Sequence, residues 1–233
     1  MPSAAERTRT LVQSTCSAVL IVPGLSVAHP DQVMPDSRSV GPEGDLFLGF
    51  PADSPVVRAA TRAQGDELTA VLELTDVAPV SVPHRIRGRA RVAGWLTSVP
   101  GLAQPGRMML RLEFGEASVD DLWGYEEVEP EDFRDAVADP MAAHEAELLQ
   151  HLHAAHGDRM ATLSALLGER GDCGCAGGGT EAVPVALDRF GLRVRFVEGG
   201  GACFDARFEF PEPVGDIVEI RRAMHTLFEA AAC

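Results

Sequence analysis

Four of the seven histidines in this chain, His144, His151, His153 and His156, fall within the thirteen residues HEAELLQHLHAAH. Imidazole is the commonest side-chain metal ligand and the side chain that ordinarily titrates near neutrality, so the cluster is where chemistry is sought first. At about 100° per residue, His144 and His151 share nearly one face of a helix and His153 and His156 another. One straight helix therefore does not gather all four into a single ligand set. Leu148, Leu149 and Leu152 define a buried stripe, which Met160, Leu163, Leu166 and Leu167 continue after a break at Gly157. His151 flanks that stripe and His156 follows Leu152 by one turn. Either can be a ligand or a boundary histidine satisfied by a backbone carbonyl. A compact zinc knuckle is disfavoured, because Cys173 and Cys175 are spaced C-G-C and not C-x-x-C.

A second chemical signal is HRIRGRARVAGW. On a strand, Arg85, Arg87, Arg89 and Arg91 alternate with Ile86, Gly88, Ala90 and Val92, placing four guanidinium groups on one face. Their rigid forks suit phosphate or carboxylate, so the row can hold a flavin phosphate or haem propionates. The competing reading is a solvated strand face neutralised by cross-strand acids such as Glu73 or Glu113.

Composition removes several classes. All twenty basic residues are arginine, so a lysine Schiff base, covalent pyridoxal phosphate and a P-loop are excluded. Asparagine is also absent, which excludes N-glycosylation and asparagine oxyanion holes. A net charge of −15 argues against nucleic acid or an anionic membrane as partner, and no apolar run reaches membrane-spanning length. The five cysteines, Cys16, Cys173, Cys175, Cys203 and Cys233, are an odd number without framework spacing, which points to a reducing cytoplasm. SAVLIVPGLSVA before His29 has the look of a short signal-peptide core, but the polar residues leading into it and the Pro23-Gly24 turn fit a strand end better.

The elements that must carry these residues are α+β in type. An opening helix over 4–13 precedes strands at 16–22 and 45–50. Ser54 caps a helix starting at Pro55 and running to about Gln64, and strands follow at 68–75, 85–99, 107–114 and 117–123. Many strands with few helices suggest a barrel. A short helix from Glu129 stops before Pro140, which sets domains at 1–138 and 139–233. The second reads as helices at 141–154 and 157–168, a glycine-rich loop GDCGCAGGG, strands at 183–188, 192–197 and 203–208, and a helix at 216–231, giving α-α-β-β-β-α.

This order, with its residues, resembles the small C-terminal domain of HugZ-type haem-utilisation proteins. The family motif H-M-N-x-D-H is approached by His151-Leu152-His153-Ala154-Ala155-His156, with His153 in place of Asn and Ala155 in place of Asp. A D-x-x-G turn matches Asp188 to Gly191, R-x-x-F-P-x-P matches Arg207 to Pro213, and paired basic residues in the last helix match Arg221 and Arg222. Upstream, DSPVVRAA and AVLELTDVAPV are similar to the FMN-binding-like split β-barrel related to pyridoxamine phosphate oxidase.

The resemblance implies a homodimer built through the barrels, with a ligand at the junction of barrel and C-terminal domain. It implies haem as that ligand, with His151, His156 or His225 as axial ligand to iron, Cys233 as a further candidate, and an arginine of the 85–91 row near the propionates. Haem breakdown with O2 is a consequence the family allows. Two alternatives stay open: an FMN-dependent oxidoreductase of the pyridoxamine-phosphate-oxidase group, and a non-catalytic regulatory protein that docks to a partner in haem metabolism.

Overall fold

The computed structural model describes residues 1–14, 17–63, 68–101, 104–168 and 180–232. The fold is α+β, and the chain forms two compact units, one from Pro2–Val77 and Ile86–Ala138 and a second from Ala78–Arg85 and Asp139–Cys233.

The first unit is built on a curled antiparallel half-barrel sheet, consistent with a split barrel. Its strands are β1 (Ser17–Ile21), β2 (Ser37–Val40), β3 (Leu46–Pro51), β4 (Thr69–Val77), β5 (Ile86–Val99), β6 (Arg107–Asp121) and β7 (Gly124–Val128). They run in the order β1-β4-β5-β6-β3-β2, with β7 also on β6. Period-two alternation turns Leu46, Leu48, Leu72, Leu74, Val92, Leu110 and Leu112 inward, where all are essentially inaccessible. Helix α1 (Ala4–Ser14) is fixed by Arg7, whose buried guanidinium donates to Asp121 at 2.8 Å, Glu126 at 2.8 Å and the Pro2 carbonyl at 3.2 Å. Helix α2 (Pro55–Arg62) starts as its sequence dictates: the Ser54 hydroxyl accepts from the Val57 N–H, and Pro55 fills the first turn. Helix α3 (Pro130–Asp135) closes this unit.

The two strands expected at 107–114 and 117–123 are one strand, β6. The register of β5 against β6 shifts between Ala93 and Gly94, so a bulge absorbs the glycines that otherwise read as a break. A Cβ on Gly94 would lie 1.8 Å from the Glu113 carbonyl oxygen, so no larger residue fits there. The arginine row is also interrupted. Arg85 precedes β5 and belongs to the second unit, and the β4–β5 register shifts beside Arg87. Three of the four arginines, not four, lie on the strand.

The second unit carries α4 (Glu145–Ala155), α5 (Gly157–Thr162), a 3-10 turn (Leu163–Leu167), the meander β8 (Glu181–Asp188), β9 (Gly191–Val197) and β10 (Cys203–Glu209), and α6 (Ile217–Ala231). Asp216 caps α6 by accepting from the Val218 and Glu219 N–H groups. The core joins Leu149, Leu152, Met160 and Leu163 to Val185, Leu192, Val194 and Phe196 of the sheet and to Ile220, Met224 and Phe228 of α6. Ala78, Val80 and Val82 are buried in the same cluster. Their segment closes on itself through Ala78 N–H to Arg85 O at 2.8 Å. It is held by Arg195, which donates to the carbonyls of Pro83 at 2.7 Å and His84 at 2.8 Å while its other nitrogens grip Asp205. His84 is the one non-glycine residue with positive φ among the described residues, a backbone turn that accompanies this carbonyl pair.

The residues carrying the family resemblance have structural work here. One oxygen of Asp188 accepts from the Phe190 N–H at 2.8 Å, the Gly191 N–H at 3.1 Å and Arg207 at 2.7 Å, forming the β8–β9 turn. A Cβ on Gly191 would stand 2.3 Å from the Phe208 carbonyl, so the D-x-x-G glycine is required by close backbone approach.

Asp139 opens the main segment of the second unit by accepting from the Met141 N–H at 2.8 Å and the Arg189 N–H at 3.1 Å. Burial, outweighing these two hydrogen bonds, holds its carboxyl above the usual carboxylate value. A raised folded-state pKa contributes stability that is full below the unfolded value of about 3.9 and is lost as pH rises through the folded value. The stability difference between wild type and Asp139→Asn, measured by denaturant unfolding at several pH values, is therefore expected to shift toward the variant as pH rises through that window. A difference independent of pH would remove Asp139 as the source.

Candidate functional site

Helices α4 and α6 enclose a cavity of about 390 Å³ that lies wholly within the second unit. Leu148, Leu152, Met224 and Phe228 supply its apolar wall, and His144, His151, His156 and His225 all line it. Three of the histidines thus brought together were the candidate ligands, His151, His156 and His225; His144 joins them, and His153 is not part of the lining.

The arrangement follows from a break in the helix. The N–H of His156 still bonds to the Leu152 carbonyl at 3.0 Å, ending α4, while its own carbonyl accepts from the Met160 N–H at 2.9 Å, beginning α5. With φ −130° and ψ 25° His156 is not helical. The straight-wheel expectation that His153 and His156 share a face is corrected: the corner turns His156 back over α4. Its Nε2 lies 3.3 Å from the Nε2 of His151, with ring centroids 5.0 Å apart and the planes at 79°. Leu149, wholly buried and outside the cavity lining, sets the rotation of α4. His225 lies on α6, largely exposed, with Nε2 3.2 Å from Glu229. Among the described residues, no group of three or more His, Cys, Asp or Glu side chains is placed to hold a metal ion.

Two cations line the cavity that spacing alone did not single out as ligands. Arg159 stands over the Phe228 ring at 5.2 Å, and Arg221 projects from α6. Helical period could have found Arg221, which follows Ile217 by four and precedes His225 by four. Glu147 is the one carboxylate in the lining among the described residues.

The arginines of HRIRGRARVAGW do not line this cavity. Arg85 donates to the Ala78 carbonyl at 2.9 Å, Arg87 is buried against Asp76 at 2.8 Å, and Arg91 lies 3.3 Å from Glu73 as a cross-strand neighbour. Arg89 is exposed. The first unit has its own hollow of about 550 Å³, where Arg91 meets Glu116, Glu127 and Glu129. A flavin phosphate there would face three carboxylates and one guanidinium, which is the wrong balance for a dianion. Cys16, Cys173, Cys175 and Cys233 lie outside the described residues, as does Gln64 at the expected end of α2; Cys203 is a free thiol on β10. No helix among the described residues is long and apolar enough to cross a membrane.

Comparison with solved structures adds the fold. A heme-binding protein from Mycobacterium smegmatis superposes at TM-score 0.64 with 20% identity, covering 100% of this chain and 98% of that one. The chain shares that protein's fold. A protein of unknown function from Agrobacterium tumefaciens is matched over 98% of this chain and 97% of that one, with 16% identity and TM-score 0.41. No family model and no curated protein matches the chain.

Proposed function

We propose that this chain binds haem, with an axial imidazole from the His151 and His156 pair. The observation that carries the reading is the convergence of two imidazole Nε2 atoms over an apolar cavity flanked by Arg159 and Arg221. The residues present fit the group. A haem iron takes one imidazole per face, the macrocycle requires an apolar wall, and its two propionates require cations. Leu148, Leu152, Met224 and Phe228 offer the wall, and the two arginines offer the cations. The cavity's volume lies in the usual range for small-molecule sites, about 300–1,000 Å³.

His151 and His156 meet through their Nε2 atoms at 3.3 Å, so the ring whose Nε2 takes the iron gives up that contact and the other stays beside it on the same side. His225 is the reserve ligand on the facing helix. Bound haem would bring oxygen chemistry of its own; the protein's share is ligation, the shielding of one face by α6 and neutralisation of the propionates. Membership of the HugZ type, the division into domains at 138/139, homodimer assembly and a cytoplasmic setting belong to the same proposal. The shared fold with a heme-binding protein supports the reading.

Haemin titrated into the purified protein is expected to give a shifted, saturable Soret band. The triple variant His151→Ala/His156→Ala/His225→Ala is expected to lose it, and Arg159→Ala/Arg221→Ala to weaken binding by about 1.5–3 kcal/mol per lost charged hydrogen bond. An unchanged Soret shift in the triple histidine variant would overturn the reading.

A further inference from the structure

We propose that His151 and His156 also form a bidentate chelate for a free tetrahedral dication of the zinc type. Two nitrogens each about 2.0–2.1 Å from a tetrahedral ion stand about 3.3–3.4 Å apart, whereas a right-angled geometry would bring them to about 2.8–3.0 Å. The observed Nε2 to Nε2 separation is 3.3 Å. The rings meet edge to face at 79°, so the two imidazole planes do not stack against each other.

The backbone has prepared this distance. One ring rides on the last full turn of α4 and the other on the corner residue that joins α4 to α5, so neither needs to move along its helix to close the bite. Both rings are accessible, His151 exposed and His156 half-buried, so an ion reaches them from solvent. A neutral pair sharing one N–H becomes a chelate when the donor ring shifts its proton to Nδ1, with no change in net protonation.

Two imidazoles fill half of a tetrahedron. No third side chain of the described residues completes the set, so two positions stay open toward the cavity. Arg159 and Arg221 line the same space and oppose a bare dication, while they favour one that carries an anion. The site therefore suits a metal ion bound together with a small carboxylate or phosphate, each strengthening the other. This does not rest on the haem reading: a haem iron accepts one of these rings per face, whereas the chelate takes both at once.

Cobalt(II) chloride titrated into chelator-treated, haem-free protein tests it. Tetrahedral cobalt absorbs strongly in the visible region and octahedral cobalt weakly, so the expected result is a strong band saturating at one equivalent. His151→Gln and His156→Gln are each expected to abolish the band, and His153→Gln, outside the cavity, to keep it. Added inorganic phosphate is expected to tighten cobalt binding in the wild type. His151 is exposed, so loss of the band in His151→Gln reports the ligand and not the fold. A weak octahedral spectrum, or a strong band that survives His151→Gln, would overturn the chelate. Haemin titration of the same proteins without cobalt reads the other proposal separately: a Soret shift without the cobalt band sinks the chelate alone, and the cobalt band without a Soret shift sinks haem binding alone.

Discussion

Arg195→Ala is expected to destabilise the second unit by about 3–5 kcal/mol, because it strands a buried carboxylate and two carbonyls at once. The Arg195 side chain is 9% exposed and its partner Asp205 16% exposed, so water cannot replace the lost donors without opening the sheet. The two-pronged grip on Asp205, at 2.6 and 2.8 Å, crosses from β9 to β10, and the remaining nitrogen holds the carbonyls of Pro83 and His84. Denaturant unfolding followed by circular dichroism reads the loss as a lowered midpoint. Arg195→Ala/Asp205→Ala is expected to recover part of it, since the double variant no longer buries an unpaired charge. A single variant within about 0.5 kcal/mol of wild type would show that the cluster is not structural, as ordinary surface substitutions fall in that range.

The second large effect is expected at Arg7, in the first unit. Its side chain is 6% exposed and Asp121 is 12% exposed, whereas Glu126 is 49% exposed. Arg7→Ala is therefore expected to cost about 3–5 kcal/mol, almost all from taking the guanidinium away from the buried Asp121 carboxylate, while Glu126→Ala costs no more than about 1 kcal/mol. Asp121 also accepts from the Trp123 N–H at the β6–β7 turn, so the loss should spread to that hairpin as faster amide exchange at 124–128. Equal costs at Arg7 and Glu126 would contradict this division.

Where a local rule acts alone, the sequence was legible. Ser54 and Pro55 announce α2, the Gly-bounded alternation at 183–208 announces the meander, and Asp216 marks the start of α6. It failed where tertiary pairing overrides the local signal. Gly94 and Gly115 look like interruptions but are the small residues a bulge between two long strands requires. Ser37–Val40 and Gly124–Val128 are too short and polar to stand out, and become strands only because β3 and β6 offer ladders. The segment at 78–85 reads as a turn between strands. Its buried Ala78, Val80 and Val82 alternate among prolines, a pattern visible in the chain but with no hint of which core receives it. At the site, residue types singled out His151, His156 and His225, which line the cavity, but the straight wheel paired His156 with His153, because the corner at His156 interrupts the helix.

That corner sets grip against continuity. Gly157 has open space where a Cβ would go, so alanine fits there and would favour one uninterrupted helix by about 1 kcal/mol. An uninterrupted helix carries the His156 ring around toward His153 and away from His151. The bend between α4 and α5 thus works as the pivot of a pair of tweezers: the molecule forgoes a longer, sturdier rod in order to own two jaws, and anything clasped between them holds the bend in place.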